Sequence, residues 1–211
     1  MTYALLVKKM YLDERKIITN ETIKDYCKKL HLNYYSAICY LIRRKYVHRI
    51  LKGIFYLPSI EERKSKRINI NYLDALAEAL KIKKVSNWYF GLETALKFNN
   101  LTHEFFTTDF IINDTIFRAK PIMVLGHKVK FIKLKRNLFT FGIIHAKWNF
   151  SEPEKTILDV IYLSKYAGLT EEEAKTKVAD MIKSCSIEKL KRYAKNYNKT
   201  TEQCIKHEES N

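Results

Sequence analysis

Little in this sequence suits a membrane span, a disulfide scaffold or a phosphate-cradling loop. Hydrophobic residues make up 46% of the 211, yet no apolar run approaches the ~20 residues that a bilayer demands. Four cysteines, Cys27, Cys39, Cys185 and Cys204, form no CxxC pair, and no two histidines stand at metal-ligand spacing. A chain of this length with so few thiols is read as keeping them reduced, in the cytoplasm. From Met1 to Lys9 the apolar run precedes the charges, the reverse of a secretory signal. There are only five glycines and no Asp-x-Asp or Asp-x-Glu, so a nucleotidyltransferase, with its small-residue turn and paired acidic metal ligands, is not supported. A metal nuclease needs clustered carboxylates beside a lysine. Asp109 and Asp114 precede Arg118 and Lys120 but fall near expected turns, and Glu173-Ala174-Lys175 reads as surface charge on a helix. No catalytic residue, metal site or cofactor is assigned.

What the chain does have is positive charge, unevenly spread. Lys plus Arg is 39 against 23 Asp plus Glu. Residues 1–70 hold 16 basic and 6 acidic side chains, residues 71–150 hold 12 and 6, and residues 151–211 hold 11 of each. A lysine-rich proteome would spread the excess evenly. Concentration toward one end is the footprint of a polyanion partner.

Local patterns at that end predict three helices and a hairpin. Tyr3, Leu6, Val7 and Met10 mark an amphipathic first helix. Thr19-Asn20 caps a second, whose buried stripe is Ile23, Tyr26, Cys27 and Leu30. Asn33 caps a third, running to about Arg44. At about 100° per residue, Tyr34, Ala37, Ile38, Leu41 and Ile42 gather on one side of it. Asn33, Ser36, Tyr40, Arg43 and Arg44 gather on the other, with Tyr35 and Cys39 at the boundary. A front of this kind offers donors and acceptors to base edges in a major groove. Strands then flank the two-residue turn Lys52-Gly53 and stop at Pro58. The order is that of a winged helix-turn-helix. It nominates Asn33, Tyr35, Ser36, Tyr40, Arg43 and Arg44 on the helix, and Arg49 and Lys52 on the wing, as DNA-binding residues.

The expected fold class is α+β: a winged helix-turn-helix over 1–60, a charged linker over 61–70, a mixed helix and strand domain over 71–185, and a polar helical tail over 186–211. In the mixed domain, Tyr72 to Leu80 reads as a helix. A second helix starts from Ser86 or Asn87 and buries Tyr89, Leu92, Ala95 and Leu96. Strands fill 104–150, with a bulge where apolar parity switches between Phe131 and Ile132. Ser151 and Glu154 read as a capping box for a helix reaching about Tyr166 and stopped by Gly168, and Thr170 with Glu173 reads as another. Lys128, Lys130, Lys133, Lys135 and Arg136 form a possible accessory basic surface.

Three segments carry a family resemblance: "HRILKGIFYLP" (48–58), "WYFGLETALKFNNLT" (88–102) and "FSEPEKTILDVIYL" (150–163). In their order and spacing they resemble the AbiEi-type antitoxins, the antitoxin and autorepressor of type IV toxin–antitoxin systems, across nearly the whole chain. The resemblance implies a repressor that binds inverted repeats in its own operator through the winged helix. It also implies a second domain that counteracts a nucleotidyltransferase-like toxin from a neighbouring gene. Glu154, Lys155 and Asp159 are either family-specific surface contacts or structural residues. The expectation is thus a cytoplasmic, non-enzymatic repressor of double-stranded DNA with no membrane partner. The alternatives are a metal-dependent nuclease or other nucleic-acid enzyme with a winged-helix module, and an effector-responsive transcription factor.

Overall fold

A computed structural model describes residues 2–102, 104–164 and 170–206, and over them the chain is mixed α and β. Contacts group it into two compact units, Met1–Lys84 with Met123–His127, and Val85–Ile122 with Lys128–Asn211. Among the described residues no helix is long and apolar enough to cross a membrane.

The first unit runs α1 (Thr2–Leu12), β1 (Ile17–Thr19), α2 (Asn20–Lys29), α3 (Tyr34–Arg43), β2 (His48–Leu51), β3 (Ile54–Tyr56). The expected caps are present: the Thr19 side chain accepts from Thr22 N–H, and the Asn33 side chain accepts from Ser36 N–H. Leu6 and Met10 of α1, Ile23, Tyr26 and Cys27 of α2, and Ala37, Ile38 and Leu41 of α3 close on one core. The three strands are antiparallel in the order β1-β3-β2, with Thr19 opposite Ile54 on one side and Leu51 opposite Ile54 on the other.

The stretch expected as a linker over 61–70 is ordered. It begins with α4 (Ile60–Ser65), which has a reciprocal capping box between Ser59 and Glu62. Glu62 is buried and accepts from the Tyr56 phenol at 2.7 Å, Ser59 N–H at 2.7 Å and Asn69 N–H at 2.6 Å. Burial opposes its ionisation, but the two backbone N–H groups and the phenol outweigh that and lower its pKa. A carboxylate so held fixes the chain on either side of it. The next helix, α5 (Tyr72–Ile82), packs against β2. The N-terminal stretch of the unit therefore runs to Lys84 and takes in the residues expected as linker.

The second unit holds β4 (Trp88–Phe90), α6 (Leu92–Phe98), β5 (Thr108–Asn113), nearly all of β7 (His127–Lys133), β8 (Ile143–His145) and β9 (Asn149–Ser151), while β6 (Ile122–Val124) falls mostly in the segment grouped with the first unit. The sheet of the second unit has the order β7-β5-β4-β9-β8 and is mixed: β4 is antiparallel to β5, while β5 is parallel to β7 and β4 to β9. Trp88-Tyr89-Phe90, expected as helix, is a strand in mid-sheet, and the helix starts only after Gly91. Phe105 and Phe117 lie outside strands and are exposed. The parity switch in β7 needs no bulge: register with β5 runs unbroken from Thr108–Lys128 to Asn113–Lys133. Val129 and Phe131 are buried on one face while Ile132 packs on the other. A strand covered on both faces loses its alternation.

Next come α7 (Pro153–Ser164), α8 (Glu171–Ile182), α9 (Ile187–Ala194) and α10 (Lys199–Lys206). The capping box of Thr170 with Glu173 is as expected. That of Ser151 with Glu154 is replaced: the Ser151 hydroxyl pairs with that of Thr156 at 2.7 Å, and Glu154 accepts from Ser186 N–H at 3.1 Å. Tyr166 and Gly168, expected to close α7, lie outside the described residues. The expected polar tail is part of the core. Leu190, Tyr193 and Ala194 of α9 and Cys204 and Ile205 of α10 are buried with α7, so the unit extends past residue 185.

Candidate nucleic-acid interface

The α3 helix is held at two points. Its inner side is buried through Ala37, Ile38 and Leu41. At its start, the Tyr34 phenol donates to Asn20 Oδ1 at 2.5 Å. Burial first, and then the Glu21 carboxylate, raise the pKa of this phenol, so it stays a donor. Asn20 in turn touches the turn of the β2–β3 hairpin, donating its N–H to Gly53 O at 2.9 Å. Gly53 has φ +80, and a Cβ there would come within 2.7 Å of the Asn20 amide nitrogen. Glycine is thus required twice over, by conformation and by space. One residue, Asn20, thus bonds both the hairpin turn and the start of the helix.

The side chains left in solvent are a more apolar set than expected. Tyr35 is 76% exposed and Ile42 36%, Cys39 is exposed, and Ser36 and Arg43 are exposed beside them. Arg44 is exposed at the C-cap. Asn33 is exposed, but its side-chain oxygen is taken up by Ser36 N–H at 3.0 Å and the Ser36 hydroxyl at 3.2 Å. Tyr40 does not stand on this open front. Its ring stacks on Tyr3 of α1 at 4.6 Å and on Tyr46 at 5.9 Å, and the Arg63 guanidinium lies 3.7 Å over Tyr46. That column of rings turns the front toward Cys39 and Ile42. Neither was nominated from sequence, because the partners that draw Tyr40 inward come from separate segments.

The hairpin adds cations. Arg49 is exposed with its guanidinium 5.8 Å from the Phe55 ring, and Lys52 is exposed at the tip. In the second unit, Lys128, Lys133, Lys135 and Arg136 are exposed, while half-buried Lys130 donates to the Ala119 carbonyl.

The charges of 150–163 face inward. Lys155 and Asp159 have no exposed side-chain surface and stand 3.6 Å apart. Asp159 accepts from the Tyr89 phenol at 2.7 Å and the Tyr197 phenol at 2.6 Å. Lys155 donates to Tyr197 at 3.2 Å and lies over the rings of Phe141 and Tyr89 at 4.6 and 4.9 Å. Burial lowers the lysine's pKa against the pull of Asp159, and burial with the Asp159 charge raises both phenols well above the ordinary value. With Glu154 also buried, these residues are structural rather than surface contacts. The acidic residues considered for metal binding are likewise dispersed. Asp109 is buried near Lys97 at 3.7 Å, and Asp114 accepts from Asn87 at 2.7 Å. Among the described residues no group of three His, Cys, Asp or Glu is placed to hold a metal ion.

The fold defined by these units is one already seen in a solved structure. The chain is similar to the RV2827C protein from Mycobacterium tuberculosis, whose crystal structure superposes with a TM-score of 0.58. The match covers 98% of this chain and 76% of that one at 13% identity, which is a likeness of fold alone. No family model and no curated protein sequence matches the chain.

Proposed function

We propose that the first unit is a winged helix-turn-helix and that the chain is a sequence-specific repressor acting on double-stranded DNA. The observation that carries this is the open front of α3, anchored from behind and bordered by Arg43, Arg44, Arg49 and Lys52 in solvent. The order α1-β1-α2-α3-β2-β3 with a β1-β3-β2 sheet supports it, since a recognition helix followed by a hairpin is the geometry that docks in a major groove with a wing on the backbone. The charge distribution supports it too. The resemblance to AbiEi-type antitoxins extends the proposal to autoregulation at an inverted repeat and to neutralising a nucleotidyltransferase-like toxin, in the cytoplasm. Selection from a randomised duplex library tests the DNA reading. A repeated half-site motif that unrelated duplex fails to compete away is the expected result, and recovery of no motif contradicts it. Co-expression with the neighbouring gene product tests the antitoxin reading.

One observation favours an effector-responsive variant of this reading. The second unit has an open cavity of about 930 Å³ whose walls include Phe117, Ile132, Leu134 and Leu163, with Lys130, Lys133 and Lys135 beside them. Such a site suits an apolar anion. A fluorescent fatty-acid probe should bind it and be lost in Leu134→Glu. No binding by the wild type rules this variant out.

A further inference from the structure

We infer that α3 reads its duplex chiefly through thymine methyl groups. The inference rests on the DNA-binding reading above and names the feature of DNA that the front of α3 fits. Polar readout of bases needs free, paired donor and acceptor groups, such as those of Asn, Gln or Arg. On the first turns of α3 several of those groups are engaged elsewhere. The Asn33 oxygen serves the helix cap and the Ser36 hydroxyl donates to it. The Tyr40 ring is inside the column formed with Tyr3 and Tyr46. Arg43 and Arg44 keep exposed forks, and both lie at the end of the helix, in its last turn and at its C-cap.

What remains along the middle is a continuous apolar line. Tyr35, Cys39 and Ile42 recur at i, i+4 and i+7, one stripe of a helix, and all three are in solvent. An isoleucine and a thiol offer no bidentate hydrogen bonds, but they pack well on a methyl group. In the major groove the C5 methyl of thymine is the feature that apolar side chains recognise. Exposed cations, Arg43 and Arg44 on α3 and Arg49 and Lys52 on the hairpin, suit the phosphates that flank the groove. The stripe is therefore a reader of successive thymines, and Arg43 adds a guanine or phosphate contact at one end.

The test uses the full-length protein and the duplex motif recovered by selection. Each thymine in the half-site is replaced singly by uracil, which keeps every hydrogen-bonding group and removes only the methyl. At two or more positions the affinity should fall about fourfold, the worth of one buried methyl. In Tyr35→Ala or Ile42→Ala the same replacement should cost nothing at the position that side chain covers. Both residues are exposed, and circular dichroism of each variant checks that it is folded. Uracil duplexes that bind as tightly as thymine duplexes, while selection still yields a motif and Arg43→Ala still weakens it, overturn the methyl reading and leave DNA binding intact. A library that yields no motif at all overturns both.

Discussion

On α3 the charged residues Arg43 and Arg44 stand in solvent, whereas on α7 the charged residues Glu154, Lys155 and Asp159 are buried. Both helices carry charge beside apolar residues at helical spacing, and the two use it in opposite ways. A guanidinium in water keeps its donors free for a phosphate or a base. An ammonium enclosed by aromatic rings and a carboxylate is committed to holding those groups together. The first arrangement leaves the charge open to a partner at little cost in stability. The second matters chiefly when one member is taken away, because the other is then a buried, uncompensated charge.

The sharpest way to break this contrast is Asp159→Ala. It leaves Lys155 buried without its carboxylate and should cost about 3–5 kcal/mol in urea unfolding. The double variant Lys155→Met, Asp159→Leu should lose much less, since no lone charge remains. Equal losses for the single and double variants would show that the pair is ordinary packing.

Alkaline titration follows from the buried carboxylates of the two units, Glu62 in the first and Asp159 in the second. The phenols of Tyr56, Tyr89 and Tyr197 are raised above the ordinary value of 10.0, by burial first and by a neighbouring carboxylate second. A raised pKa means the folded state holds the proton longer, so this stabilisation is intact below pH 10.0 and is lost as pH climbs through the folded values. Lys155 works the other way. Its pKa is lowered, so it adds stability as pH rises toward 10.5, and that gain ends there. The chain should therefore unfold with rising pH above that point. Phenolate absorbance should show these three of the 14 tyrosines ionising only with unfolding. A smooth titration of all 14 in the folded state would contradict the buried assignment.

The solvent-facing side of the comparison predicts smaller effects on stability and larger ones on DNA. Arg43→Ala should weaken binding to the selected duplex by ~1–3 kcal/mol if it reaches a base, with unfolding changed by no more than ~0.5 kcal/mol. Lys52→Ala should be milder. It should weaken selected and unrelated duplexes alike and flatten the log–log salt dependence by ~0.9, one phosphate contact. An unchanged slope would remove the hairpin tip from the phosphate backbone.

Local signals in the sequence were enough for the first unit's helices and for its turn. Capping by Thr19 and Asn33, the stripe of Ile23, Tyr26 and Cys27, and the pair Lys52-Gly53 all act over a few residues. Features that depend on distant partners were not legible. Tyr40 is drawn off the open front by Tyr3 and Tyr46. Glu62 makes a fixed segment of what reads as linker because Tyr56 and Asn69 bond to it. Trp88 to Phe90 carry helix-like spacing with the residues after them, yet pair as a strand because β5 and β9 flank them. The polar end of the chain has few apolar residues, and those few, among them Leu190, Tyr193 and Ile205, are buried against α7.

Protection of Cys39 from alkylation tests the assignment of the DNA-reading face most directly. Cys39 is exposed in mid-front, Cys27 and Cys204 are buried, and Cys185 is half-buried. Burial, with Glu154 nearby, pushes the Cys185 thiol up to about 11, which makes it a slow internal reference. The selected duplex at saturation should suppress alkylation of Cys39 and leave the Cys185 rate unchanged. If Cys39 reacts as fast on bound DNA as in the free protein, α3 does not face the duplex.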